Sequence, residues 1–117
     1  MSLELGKQLI QKKQFKKAFI VIQNLLKQNP NDLRNNFLAG QMYYGLNELE
    51  KSSIFFQKCG EIQPNTPSVI FNLALIFQAQ GKIEEAKEKY LNLISINEND
   101  VKSYYGLFVL GNNNINT

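Results

Sequence analysis

The chain has 117 residues, one domain's worth of material, of which 44% are hydrophobic and 20% charged. That balance is ordinary for a globular protein and too apolar for a disordered one. No apolar stretch approaches the roughly 20 residues that span a bilayer, and no greasy run follows a basic start as a secretory signal would require. A single cysteine, Cys59, cannot close an internal disulfide, so the expected setting is the reducing cytoplasm, with no membrane partner.

Apolar residues recur three and four apart along the chain, and strict alternation is absent, which predicts helices and no strands. The first two helices are expected at 2–12 and 15–28. The turn between them, Lys13-Gln14, has no helper residue and should be the least rigid of its kind. Pro30-Asn31-Asp32 then offers short polar side chains to cap a third helix at 33–45. Gly45-Leu46-Asn47, residues tolerant of positive φ, separates it from a fourth at 48–61. Thr66-Pro67 reads as a capping hydroxyl followed by proline at the first helical position, opening a fifth helix at 67–80. Gln80-Gly81-Lys82 leads to a sixth at 82–96, and polar residues Asn97 to Asp100 lead to a seventh at 101–111. A polar tail, 112–117, is expected after it. Connections this short make sequential helices antiparallel neighbours.

The helices come in copies. Leu5-Gly6 recurs after 34 residues as Ala39-Gly40 and again as Leu73-Ala74. In the same register Leu9 becomes Tyr43 and Phe77, Ala18 becomes Ser52 and Ala86, and Ile22 becomes Phe56 and Tyr90. Leu25 becomes Cys59 and Leu93, while Pro30 returns as Pro64 and lapses to Glu98. A fixed period of this size means one supersecondary unit is stacked. The small residues let paired helices approach closely, and the bulky ones a turn later fill the space beside them.

Small residues, aromatics and a closing proline at this period resemble the tetratricopeptide repeat. The resemblance implies an all-α fold: a right-handed α-solenoid of three helix-turn-helix repeats plus a C-terminal helix. It gives one domain over 1–111, with repeats near 1–32, 33–66 and 67–100 and an extra helix at 101–111. The departures are a large aromatic replaced by Ser2, Asn36 and Ile70 and kept only as Tyr104, and the lost third proline. Family members bind partners on a concave face lined by the first helix of each repeat. Here those positions are Leu3, Lys7, Ile10, Arg34, Phe37, Gln41, Tyr44, Phe71, Leu75, Gln78, Lys102, Tyr105 and Val109. Phe37, Phe71 and Tyr105 stand 34 residues apart. Such a stripe is usually core, but here the core columns are filled by other residues, which favours a ligand-facing role. The subtype that clamps a C-terminal carboxylate is not matched, since its positions read Leu3, Lys7, Leu38, Ser68 and Asn72.

Chemistry is not expected. The chain has no histidine, the commonest general base and metal ligand. Cys59 falls in a packing column, Glu84, Glu85 and Glu88 interleave with Lys87 and Lys89, and no phosphate-cradling glycine loop is present. The expectation is no enzyme, no cofactor and no metal.

Residues 1 to 30 carry six lysines against Glu4, and a nucleic-acid footprint would instead run along several repeats. Lys12, Lys13, Lys16 and Lys17 cluster at the first turn; the plain reading is a solvated face, the alternative an acidic partner. The function expected first is a protein-interaction scaffold binding a peptide or partner helix in the groove. The alternatives are a structural segment of a larger array or fused enzyme and, behind it, an acidic-surface or nucleic-acid binder. The seventh helix is apolar around most of its circumference, and Phe108 stands in the small-residue column. That end is expected to be sticky, covered by a second copy or by further sequence.

Overall fold

The computed structural model describes residues 2–115, the side chains of 113–115 excepted. Seven helices and no strand form among the described residues: α1 Leu3–Gln11, α2 Phe15–Gln28, α3 Leu33–Gly45, α4 Leu49–Ile62, α5 Pro67–Ala79, α6 Ile83–Ile96 and α7 Val101–Ile115. Each lies within a residue of its expected bounds except the last. That helix runs past Gly111 through Ile115, so the tail expected from 112 is helical as far as it is described. Gly111 does not break it, because among the described residues the one glycine with positive φ is Gly81. None of these helices is long and apolar enough to cross a membrane.

Contacts divide the chain into Met1–Pro64, holding α1 to α4, and Asn65–Thr117, holding α5 to α7. In the first unit α1 packs on α2, α3 on α4, and α3 also meets both α1 and α2. Ala18, Ile22, Leu38, Ala39 and Met42 form its buried cluster, with Phe56 and Cys59 fully buried beside α3. The Ser52 hydroxyl donates to the Gly40 carbonyl at 2.7 Å, joining the two helices where both side chains are small. In the second unit α6 packs on both α5 and α7. Ala74, Ile76, Ala86, Tyr90, Leu93 and Leu110 are buried there.

The three turns inside the helical pairs are built alike. Each closes with a residue at positive φ: Lys13 at 58°, Asn47 at 60° and Gly81 at 77°. In each, the next N–H reaches back to a carbonyl five residues earlier: Gln14 to Leu9 at 2.9 Å, Glu48 to Tyr43 at 2.8 Å and Lys82 to Phe77 at 2.8 Å. This is the Schellman arrangement, which satisfies carbonyls that the helix end leaves open. The first turn thus has the same bonds as the others, and it differs in placing a lysine, Lys13, at positive φ where the others have asparagine and glycine. A non-glycine side chain in this region costs about 1–2 kcal/mol, and glycine returns about 0.5–1 of that through a freer unfolded chain. Lys13→Gly should therefore raise stability by about 0.5–1 kcal/mol, and Gly81→Ala should lower it by the same amount. Thermal melts of the two variants moving in the same direction would contradict this.

Two sequence expectations about turns need correction. Gly45 is helical; a Cβ there would overlap the Phe15 ring, so it provides room and not turn freedom. Thr66 is the residue before α5 and Pro67 opens the helix, but the Thr66 side chain makes no capping bond to it. Caps of the expected kind do form at Ser2, which accepts from the Leu5 N–H at 3.1 Å, and at Asp32, which accepts from Asn35 at 3.1 Å. At Asn36, where the family's large aromatic was expected, a fully buried amide donates to the Pro30 and Asp32 carbonyls at 3.0 and 2.8 Å. Polar ties to the preceding loop replace the packing of a ring.

Candidate functional site

On α5, Phe71, Leu75 and Gln78 are spaced four and three apart, so they share one face of the helix. On α7, Val101, Lys102, Tyr105 and Val109 do the same. The two faces line a cleft of about 590 Å³, floored by Tyr90 of α6 and completed by Gly106. That volume lies in the range of about 300–1,000 Å³ usual for binding pockets. Six of the thirteen positions that the family resemblance implies meet in this cleft: Phe71, Leu75, Gln78, Lys102, Tyr105 and Val109.

The cleft has a buried, hydrogen-bonded floor and polar groups at its rim. Tyr90 is buried and its hydroxyl donates to Gln78 Oε1 at 2.8 Å, which holds both side chains. Phe71 stands edge-on to the Tyr90 ring, 6.3 Å between centroids, a favoured aromatic geometry. Lys102 is exposed and its Nζ lies 5.7 Å from the centre of the Phe71 ring. Tyr105 is exposed, while Leu75 and Val109 are half-buried. Gly106 allows the arrangement, since a Cβ there would overlap the Tyr90 ring. The result is an apolar trough with an ammonium at the edge. It suits an apolar anchor side chain next to an acidic group.

The remaining positions are in the first unit. Phe37 is half-buried and packs edge-on against Phe56, with centroids 5.2 Å apart. Arg34 is exposed and pairs with Asp32 at 3.5 Å. The Asp32 carboxyl is held below its ordinary range, chiefly by the Asn35 N–H and then by Arg34. Gln41 is half-buried, and Tyr44 and Lys7 are exposed. Leu3 and Ile10 pack against the buried cluster of Ala18, Ile22, Leu38, Ala39 and Met42. Both are half-buried, so part of each apolar side chain is used in covering that cluster. Phe37 and Phe71 are placed alike: each is half-buried and touches the core ring behind it.

Lys12, Lys13, Lys16 and Lys17 are all exposed. The last three, with Gln14, Phe15 and Leu46, border a shallow depression of about 410 Å³. Among the described residues none of the four closes an ion pair. Cys59 is fully buried, its thiol 3.7 Å from the Leu33 carbonyl. Burial pushes its pKa up to about 11, so it stays a protonated thiol at neutral pH and is a poor nucleophile. Among the described residues no group of three or more acidic, cysteine or histidine side chains is placed to hold a metal ion.

Tyr90, Val101 and Gly106 were the cleft residues that sequence reading missed. Tyr90 reads as a core filler, and it is one, with its other edge in the cleft. A lone glycine inside the apolar run of α7 was the available signal for a close approach.

The family model described as tetratricopeptide repeat matches residues 33–66 and 67–100. No curated protein sequence matches the chain. Among solved structures it is similar to the first tetratricopeptide domain of Spaghetti (RPAP3) bound to an HSP90 peptide, at 14% identity and TM-score 0.85, over 93% of this chain and 86% of that one. It is also similar to the Yersinia enterocolitica secretion chaperone SycD in complex with a peptide of the translocator YopD, at 14% identity and TM-score 0.85, over 96% and 91%. A third similarity is to MamA from Desulfovibrio magneticus, at 24% identity and TM-score 0.76, over 82% of this chain and 54% of that one. At these identities the likeness is one of fold.

Proposed function

The chain belongs to the tetratricopeptide repeat family, and from that premise we propose that it is a protein-interaction scaffold whose α5–α7 cleft grips a peptide or a partner helix. The observation that carries this reading is the convergence of Phe71, Leu75, Gln78, Lys102, Tyr105 and Val109 on one cleft. These positions were expected from the family resemblance, which puts the first helix of each repeat on the binding face. Support comes from similar structures that hold peptides, the HSP90 peptide on RPAP3 and the YopD peptide on SycD.

The chemistry of the lining sets the kind of ligand. Phe71, Leu75, Val101 and Val109 give an apolar bed, and Tyr105 closes one side. Lys102 is the cation at that bed. A segment with a branched or aromatic anchor followed by a carboxylate would fill both, with side-chain pockets giving the specificity. Arg34, Phe37, Gln41 and Tyr44 occupy the equivalent positions of α3, and we extend the reading to them. The four lysines near the first turn are read as a solvated face. The buried, unpaired cysteine fits the reducing cytoplasm.

A random-peptide display panned on the wild-type protein tests this. Tyr105 is exposed, so Tyr105→Ala should leave stability within about 0.5 kcal/mol. It should nevertheless weaken the enriched peptides about tenfold or more, as loss of an interface aromatic commonly does. Peptides that bind Tyr105→Ala and Leu75→Ala as tightly as wild type would overturn the assignment.

A further inference from the structure

Helix α7 shows three faces. Ser103, Gly106 and Leu110 are buried. Val101, Lys102, Tyr105 and Val109 line the cleft. Between them runs a third stripe, Tyr104, Phe108 and Gly111, at spacings of four and three. Tyr104 is 51% exposed and Phe108 64% exposed. At Gly111 a Cβ would meet open space. The stripe carries no charge, and the one ionic side chain described on α7, Lys102, lies over the Phe71 ring on the cleft side. Two large rings side by side on a charge-free helix face are a common mark of a contact surface.

We propose that this stripe is a self-association surface, on which a second copy of the chain docks through its own α7. Three observations select that occupant. First, Phe108 stands in the column of Gly6, Gly40 and Ala74, which a following helix of the same stack approaches closely. At Gly40 a bare Cβ would already lie 2.7–2.8 Å from the Phe56 ring of the next helix. A benzyl group in that column leaves no room for a regular next helix, so further repeat sequence does not cover it. Second, charge directs which ends can meet. Residues 1 to 30, with six lysines against one glutamate, repel their like, whereas residues 65 to 117 hold four lysines against five carboxylates. Two copies can therefore approach through the second unit with little electrostatic cost. Third, the stripe is self-complementary. With two α7 helices antiparallel about a two-fold axis, Phe108 of each copy can sit over the bare backbone at Gly111 of the other, so one good contact is made twice.

The contact is small, a single helix face on each side, and so lies at the weak end of specific interfaces. The test is the mass of the full chain by sedimentation or light scattering from micromolar to millimolar concentration. Wild type should rise from the 13.4 kDa monomer toward twice that mass, and the rise should persist in high salt. Phe108→Glu and, separately, Tyr104→Ser should stay monomeric with unchanged helical circular dichroism, because both side chains are exposed. Wild type that remains monomeric at millimolar concentration overturns the proposal. So does a Phe108→Glu chain that associates as wild type does. Loss of association in Lys16→Gln/Lys17→Gln, with Phe108 intact, would place the contact at the basic end and overturn it as well. Peptide binding in the cleft is scored separately in the Phe108→Glu monomer, so the two readings fail independently.

Discussion

Replacing Phe56 by alanine is expected to destabilise the chain by about 3–5 kcal/mol, the usual cost of emptying a buried aromatic site. The ring is fully buried in the first unit. It lies against the bare backbone of Gly40, where a Cβ would come within 2.8 Å of three of its atoms, and edge-on to Phe37. Gly40 offers no side chain that could swing into the void, so little of the cavity can collapse. Melting should fall by at least about 10 °C for a domain of this size. Urea unfolding followed by circular dichroism measures it. A variant that melts with wild type would show that the columns are misregistered, and the inferred groove positions with them.

The second large effect is at Tyr90. Tyr90→Ala should cost a similar amount, about 3–5 kcal/mol, and should also abolish peptide binding, because the ring is both core filler and cleft floor. Tyr90→Phe separates the two roles. It keeps the ring against Gly106 and Phe71 and removes the hydroxyl that donates to Gln78 at 2.8 Å. Its stability cost should be about 1 kcal/mol. Binding should weaken through the freed Gln78 side chain, without being lost. Equal losses of stability in the two variants would mean that the hydroxyl, and not the ring, holds this end of the cleft.

The helices and packing columns were legible because a stacked unit repeats its constraints: Ala18, Ser52 and Ala86 face neighbours in the same way and so stay small. Depth was not legible. Register places Phe37, Phe71 and Tyr105 on equivalent faces, but the first two are half-buried against Phe56 and Tyr90 while Tyr105 is exposed. How far a ring sinks depends on the neighbour behind it, which a period does not report. Leu3 and Ile10 make the same point at the first helix. Lys13 hid its left-handed backbone because its residue type gives no sign of one. Its offset of 34 residues from Asn47 and of 68 from Gly81 carried that information. Gly45, Gly106 and Gly111 were the hardest to assign. A glycine can end a helix, admit a ring or simply continue, and only the surroundings decide.

Amide chemical-shift mapping with the tightest peptide from the display selection tests the central claim most directly. If the α5–α7 cleft is the binding site, the largest shifts should fall on Phe71, Leu75, Gln78, Lys102, Tyr105 and Val109. They should vanish in Tyr105→Ala at the same peptide concentration. Shifts confined to α2 and α4, or to the Tyr104–Phe108 stripe, with the cleft residues unmoved, would contradict the account.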